Sequence, residues 1–181
     1  MSDVASIELP AWATVSPKRL AHIRRVTALI VGWAEEMRVP AEERDSWHDA
    51  ALYHDCLRDA PVEELREIVG DPSIPDPLLH GPAAAVVMAR EGETRSEVLE
   101  AVRWHTVGCR SWSRGGRALY MADYLEPGRP FGRVDRAYLA ARVPTDFDGT
   151  LRQVVRERIA WMLREGYQIP SETVELWNNL Q

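Results

Sequence analysis

His54 and Asp55 stand side by side within the apolar run Ala50-Ala51-Leu52-Tyr53-His54-Asp55-Cys56-Leu57. Groups of this kind are rarely buried unless they are paired, hydrogen-bonded or bound to a metal. Three more histidines and one aspartate occupy equally apolar settings: His22, His80, His105 and Asp123. These six nitrogen and oxygen donors lie on separate segments, so they can form a metal site only if the fold assembles them. Imidazole and carboxylate together suit iron, manganese, zinc or cobalt better than calcium.

Taken singly, each residue also has an ordinary explanation. His22 shares a helical face with Val26, Leu29 and Trp33 and would serve as a core histidine bonded to a carbonyl. His54 falls with Trp47, Ala50 and Ala51, and Asp55 is turned about 100° further round. Both reach one ion only if it sits over the edge between them, near a helix end. A lone aspartate in a last helical turn opposes the helix dipole, so Asp55 needs compensation. His80, ahead of Gly81-Pro82, reads as a turn histidine or as a phosphate partner at a helix start. His105 could simply favour a helix C-terminus. Asp123, in Ala118-Leu119-Tyr120-Met121-Ala122-Asp123-Tyr124-Leu125, is the hardest to explain without a cation. His48-Asp49 is different: it follows the solvated run Glu42-Glu43-Arg44-Asp45. His48 also lies about 10 Å along the helix from Asp55, too far to share an ion, and reads as a surface residue.

The elements that must position these groups are helical nearly throughout. Ser16-Pro17 reads as an N-cap and first helical position, after which Leu20, Ile23, Val26, Ile30, Trp33 and Met37 recur at helical steps. Pro40 separates a second helix, about Ala41 to Leu57, and Pro61 opens a short third one ended by Gly70. Asp71-Pro72-Ser73-Ile74-Pro75-Asp76-Pro77 is a loop, followed by a helix through Ala83 to Arg90. Thr94-Arg95-Ser96-Glu97 has the form of a capping box for a helix bearing Val98, Ala101, Val102 and His105. Gly108 and Gly115-Gly116 bracket an Arg-rich loop. Helices follow over about Arg117 to Leu125, Asp135 to Arg142, Leu151 to Arg164 and Ser171 to Asn178. The expected fold is all-α in a single domain over residues 16–181, preceded by an N-terminal extension at 1–15.

The 181 residues, 45% of them hydrophobic, suffice for one full core. A net charge of -6 argues against broad binding to nucleic acid or an anionic membrane, while leaving room for a local basic cleft. Two cysteines, Cys56 and Cys109, form no Cys-x-x-Cys, so neither a disulfide framework nor a thiolate zinc site is expected. No signal peptide or membrane span is visible, and the expected location is the cytoplasm.

The ordered set His22, His54-Asp55, His80, His105, Asp123 resembles that of the HD-domain metallohydrolases, whose signature is His…His-Asp…Asp, often with two further histidines between. The flanking segments are similar to one branch, the YqeK-type symmetrical diadenosine tetraphosphate hydrolases. They are Lys18-Arg19-Leu20-Ala21-His22, Leu52-Tyr53-His54-Asp55, Leu78-Leu79-His80-Gly81-Pro82, Val102-Arg103-Trp104-His105-Thr106-Val107-Gly108 and Tyr120-Met121-Ala122-Asp123-Tyr124-Leu125-Glu126-Pro127-Gly128-Arg129. The tail, with Gly166, Pro170 and Thr173, is similar too. Ile23-Arg24-Arg25 departs from the smaller, uncharged residues usual after the first histidine, and Arg58 stands where a lysine is usual.

The resemblance implies an HD-type helical bundle that hydrolyses diadenosine tetraphosphate to two ADP with a metal-activated water. Iron is the implied metal, with manganese, cobalt or zinc as alternatives. His22, His54, Asp55 and Asp123 would hold it, and Asp55 or Asp123 would orient the water. His80 and His105 would either hold a second ion or act on phosphate, and the resemblance favours phosphate. Arg58 and Arg129 are candidate phosphate clamps. Arg19, one turn before His22, emerges on the same side. Arg110, Arg114 and Arg117 could rim the site, with Trp112 stacking on a base; the alternative is a solvated loop. Other readings are a generic HD nucleotide phosphohydrolase, such as a nucleotidase or guanosine tetraphosphate hydrolase, and a non-catalytic nucleotide-binding module. The partner is a small-molecule nucleotide, not nucleic acid or membrane, and a homodimer is left open.

Overall fold

Ser16 caps α1 (Pro17–Glu36): its Oγ accepts the Arg19 N–H at 3.2 Å, and Pro17 takes the first helical position. The computed structural model describes residues 8–180. Among them the chain is helical without strands. The further helices are α2 (Ala41–Tyr53), α3 (Val62–Val69), α4 (His80–Arg90), α5 (Ser96–Trp104), α6 (Arg114–Leu125), α7 (Arg133–Arg142), α8 (Phe147–Glu165) and α9 (Ser171–Asn179). The all-α, single-domain expectation therefore holds. None of the described helices is long and apolar enough to cross a membrane.

The core forms around α6, in which Ala118, Leu119, Tyr120, Met121 and Ala122 are all buried. A helix apolar on every side belongs inside. It packs against α1, α2, α5, α7 and α8. Ile23, Val26, Ile30 and Trp33 of α1 and Trp47, Ala50 and Ala51 of α2 close on it. Gly115 and Gly116 fall in the first turn of α6, whose N-terminus is capped by Ser113, and do not form a loop. Their lack of a side chain is what lets the turn seat: a Cβ there would lie 2.7 Å from Trp47 and 2.7 Å from Trp112 respectively.

Two local expectations are corrected. The second helix stops at Tyr53, not Leu57, so His54-Asp55 sits just beyond it. The cause is local competition. The His54 ring donates through Nδ1 to Ala51 O at 2.7 Å, occupying the carbonyl that a continuing helix would offer to the Asp55 N–H. The chain then closes through Cys56 N–H to Tyr53 O at 3.1 Å and Arg58 N–H to Asp55 O at 3.0 Å. The Thr94 capping box does not form either. Glu93 Oε1 accepts the Thr94 and Arg95 N–H groups at 3.0 and 2.9 Å, and Arg95 becomes the N-cap of α5 without a side-chain cap bond.

Ahead of α1, Thr14 N–H donates to Cys56 O at 2.7 Å and the Trp12 ring lies 6.1 Å from that of Tyr53. This strand of coil thus pins the turn that carries Asp55. Residues 1–7 of the expected extension lie outside the described residues.

Candidate metal centre

Five helices deliver the six candidate ligands. His22 projects from the first half of α1, His54 and Asp55 follow the end of α2, and His80 opens α4. His105 follows the end of α5, and Asp123 lies in the last turn of α6. All six are buried.

They form two triads, His22–His54–Asp123 and Asp55–His80–His105, the donor atoms of each lying within 4.8 Å of one another. Asp55, a member of the second, also faces the first. Its Oδ2 lies 3.5 Å from His22 Nε2 and 3.6 Å from His54 Nε2. Its Oδ1 lies 3.3 Å from His80 Nε2 and 3.5 Å from His105 Nε2. Asp123 Oδ1 completes the first group at 3.2 Å from His22 Nε2.

The donor chemistry fits a cation. His54 and His105 each give their Nδ1–H to a carbonyl three residues back, Ala51 O and Val102 O, both at 2.7 Å. His22 Nδ1 lies 3.2 Å from Glu126 Oε1. In a neutral imidazole the other nitrogen is then a bare lone pair. Three such nitrogens point inward, and His22 Nε2 and His54 Nε2 are only 3.4 Å apart. Nitrogen lone pairs and carboxylate oxygens in that proximity repel unless positive charge lies between them. Histidines oriented through their outer nitrogen by a carbonyl or carboxylate are also the usual arrangement of metal ligands. His80 is the least constrained: its buried Nδ1 has no hydrogen-bond partner.

Ionisation shows the same field. Burial lowers the His54 pKa to about 4, outweighing the attraction of Asp55. Burial would raise the Asp55 pKa, but the imidazoles of His54, His105 and His80 clustered around it hold it well below the usual carboxylate range. Asp123 is likewise raised by burial and lowered more strongly by His22 and Arg129. For His22, burial lowers the pKa, yet bonds with Asp123 and Glu126 raise it on balance. A field that draws a proton to His22 also draws a metal cation.

A second layer holds this centre, and much of it was not foreseen. Glu126 accepts from His22, from Arg25 Nε at 2.5 Å and from the Gly128 N–H at 2.6 Å. Arg158 of α8 donates to Thr106 O at 2.7 Å, approaches Asp123 Oδ2 at 3.9 Å and lies 4.5 Å over the Tyr120 ring. The Thr106 hydroxyl lies 3.2 Å from His105 Nε2.

The expected phosphate-binding residues divide. Arg19 Nη1 donates to Asp55 Oδ2 at 2.6 Å, and Arg129 Nη2 to Asp123 Oδ1 at 2.5 Å, so both hold ligand carboxylates. Arg58 is exposed, and its charge reaches His80. The 110–117 segment lies otherwise than expected. Trp112 is buried, its Nε1–H donates to Glu100 O at 3.2 Å, and its ring packs on Tyr120, so it offers no face to a base. Arg110 approaches Glu175, Arg117 approaches Asp148, and Arg114 lies over Trp47 and Phe147. His48 pairs with Asp49 on the surface, as expected.

The start of α4 is closed by the end of α5. A Cβ on Gly81 would lie 2.8 Å from Arg103 O, 2.9 Å from Val102 O and 3.2 Å from His105 Nδ1. Two of these contacts are rigid backbone, so Gly81→Ala must push α4 and α5 apart. We expect a cost of about 1–3 kcal/mol and a melting point lowered by about 3–10 °C, read by circular dichroism. An unchanged melting point would mean that the two helix ends are not in contact.

The family model described as HD domain matches residues 19–128. The protein named symmetrical bis(5'-nucleosyl)-tetraphosphatase of Bacillus subtilis (strain 168) is 29% identical over 137 residues, covering 71% of this chain and 73% of that protein. The protein of the same name from Staphylococcus aureus (strain NCTC 8325 / PS 47) is 27% identical over 133 residues, covering 72% of this chain and 69% of its own length. A crystal structure described as a predicted HD superfamily hydrolase involved in NAD metabolism, from Clostridium acetobutylicum, superposes with a TM-score of 0.78. It is 28% identical, and the match covers 92% of this chain and 90% of that one.

Proposed function

The chain belongs to the HD-domain family, and from that membership and the paired triads we propose that it hydrolyses diadenosine tetraphosphate symmetrically to two ADP. The observation that carries the reading is Asp55, whose two oxygens face two separate groups of inward-pointing imidazoles. That arrangement supports a two-ion centre and favours a second-ion role for His80 and His105 over direct phosphate contact. The α4 start, packed on the α5 end, argues against phosphate there as well. Relatives named symmetrical bis(5'-nucleosyl)-tetraphosphatase supply the substrate class.

His22, His54, Asp55 and Asp123 would hold one ion, and Asp55, His80 and His105 the other; iron is the proposed metal, with manganese, cobalt or zinc as alternatives. Bound there, the metal would supply Lewis acidity toward a phosphoryl oxygen and lower the pKa of a water. The chain's own residues do the rest. Asp123 Oδ1 is engaged by His22 and Arg129, which leaves Oδ2, facing Arg158 at 3.9 Å, to orient the attacking water by accepting its hydrogen bond. Arg58, exposed and without an ion pair among the described residues, binds the substrate's phosphates. Arg19 and Arg129 fix the two carboxylates.

The test is to purify the protein anaerobically, determine its metal content, incubate it with diadenosine tetraphosphate and separate the nucleotides. Two ADP per substrate consumed is the expected result. ATP plus AMP would refute the symmetry, preferential turnover of guanosine tetraphosphate or mononucleotides would replace the substrate, and no turnover with any metal would remove the enzymatic reading.

A further inference from the structure

Beside the centre, between α1, the end of α6 and α7, lies a cleft of about 430 Å³. Leu29, Leu125, Ala137 and Ala140 form its apolar wall, and Arg129, Arg133 and Arg136 its polar one. A small-molecule site has this size and this mixture of apolar surface with a few convergent polar groups.

Of its three cations only Arg129 is ion-paired among the described residues. The one carboxylate on the lining, Glu126, is already committed to His22, Arg25 and the Gly128 N–H. Arg129 is committed to Asp123. Arg136 is only 4% exposed, yet its Nη atoms reach only the carbonyls of Phe131 and Glu126, each at 3.4 Å, and its Nε has no partner. Its guanidinium is fixed 5.0 Å over Tyr124 and 4.8 Å over Phe131. Arg133 is exposed and makes no ion pair among the described residues. A buried cation without a paired anion is costly, and guanidinium groups suit phosphate oxygens. The cleft adjoins the centre through both Glu126 and Arg129.

We propose that this cleft receives one nucleoside diphosphate half of the substrate, its phosphate next to the sugar on Arg133 and Arg136 and its nucleoside against the apolar wall. The proposal rests on the dinucleotide reading above, and goes further by placing the half that the metal ligands do not touch.

The experiment is calorimetric titration of the metal-loaded protein with ADP and, separately, with inorganic pyrophosphate. Arg133→Ala is expected to weaken ADP binding about tenfold, the usual scale for a charge-assisted phosphate contact. Ala137→Trp, which fills the apolar side, is expected to weaken ADP at least as much and pyrophosphate by less than about twofold. Arg44→Ala, at an exposed position on α2, controls for net charge and should leave ADP affinity unchanged. No ADP binding by the parent protein, or ADP affinity unchanged in both cleft variants, overturns the proposal. If diadenosine tetraphosphate is not turned over but ADP still depends on Arg133 and Ala137, the proposed reaction falls and the cleft stands.

Discussion

Asp55→Asn should strip metal from the centre and cut hydrolysis severely while leaving the helices intact. The carboxylate presents Oδ2 to His22 and His54 and Oδ1 to His80 and His105. An amide of the same shape has one oxygen and one NH₂, so one triad meets a donor where it needs an acceptor. The remaining oxygen has also lost its charge, and Arg19 Nη1, 2.6 Å from Oδ2, is left without its anion. Removing an ionised partner from a buried set costs more than the bond itself, because the others stay desolvated. We expect metal content to fall from about two ions per chain to one or none. Hydrolysis should fall by about a thousandfold or more, since the lost Lewis-acid assistance is worth several kcal/mol and each 1.36 kcal/mol is a factor of ten. Elemental analysis and the nucleotide assay measure both, with far-UV circular dichroism as the control for folding. A variant that keeps two ions and turns over within tenfold of the parent would show that Asp55 does not join the triads.

The candidate ligand set was legible in the sequence because its members are out of place. An aspartate among Ala118, Leu119, Met121 and Leu125, or a His-Asp pair after Ala50-Ala51-Leu52, contradicts the apolar pattern around it. Helices were legible for the converse reason: the cap at Ser16-Pro17 and the stop at Gly70 agree with the periodicity beside them. That Asp55 faces both triads was not legible. Adjacency to His54 suggested one shared ion, and only the turn after Tyr53 aims the two oxygens at different triads. Nothing in the run Arg152-Gln153-Val154-Val155-Arg156-Glu157-Arg158 marks Arg158 out from its neighbours. Its reach to Thr106 and Asp123 depends on how α8 lies against α6, which local pattern does not encode. Trp112 misled in the opposite sense. Flanking arginines and serines gave it the look of a loop residue, while the close approach allowed by Gly116 seats it in the core.

Glu126 was missed for a similar reason, since a glutamate before Pro127 reads as a charge at a helix end. It is nonetheless the group that orients His22. Its carboxylate accepts from His22 Nδ1 and Arg25 Nε, and so keeps the His22 Nε2 lone pair aimed at the first triad. Its pKa is pushed down to about 2: burial would raise it, but the bonds from His22 and Arg25 prevail. Glu126→Gln retains an acceptor and the shape, and removes the charge that makes His22 a stronger donor to metal. Outer partners of this kind are worth about 10- to 100-fold in metal affinity or activity, and we expect a loss in that range. The pattern of the loss is specific. Glu126 touches only the first triad, so one ion should be stripped by a chelator earlier than the other, whereas Asp55→Asn weakens both. Arg25→Ala, which leaves the His22–Glu126 contact in place, should fall between the parent and Glu126→Gln. Chelator competition followed by elemental analysis distinguishes these cases. If Glu126→Gln releases both ions together, or resists the chelator as the parent does, the second layer does not act through His22.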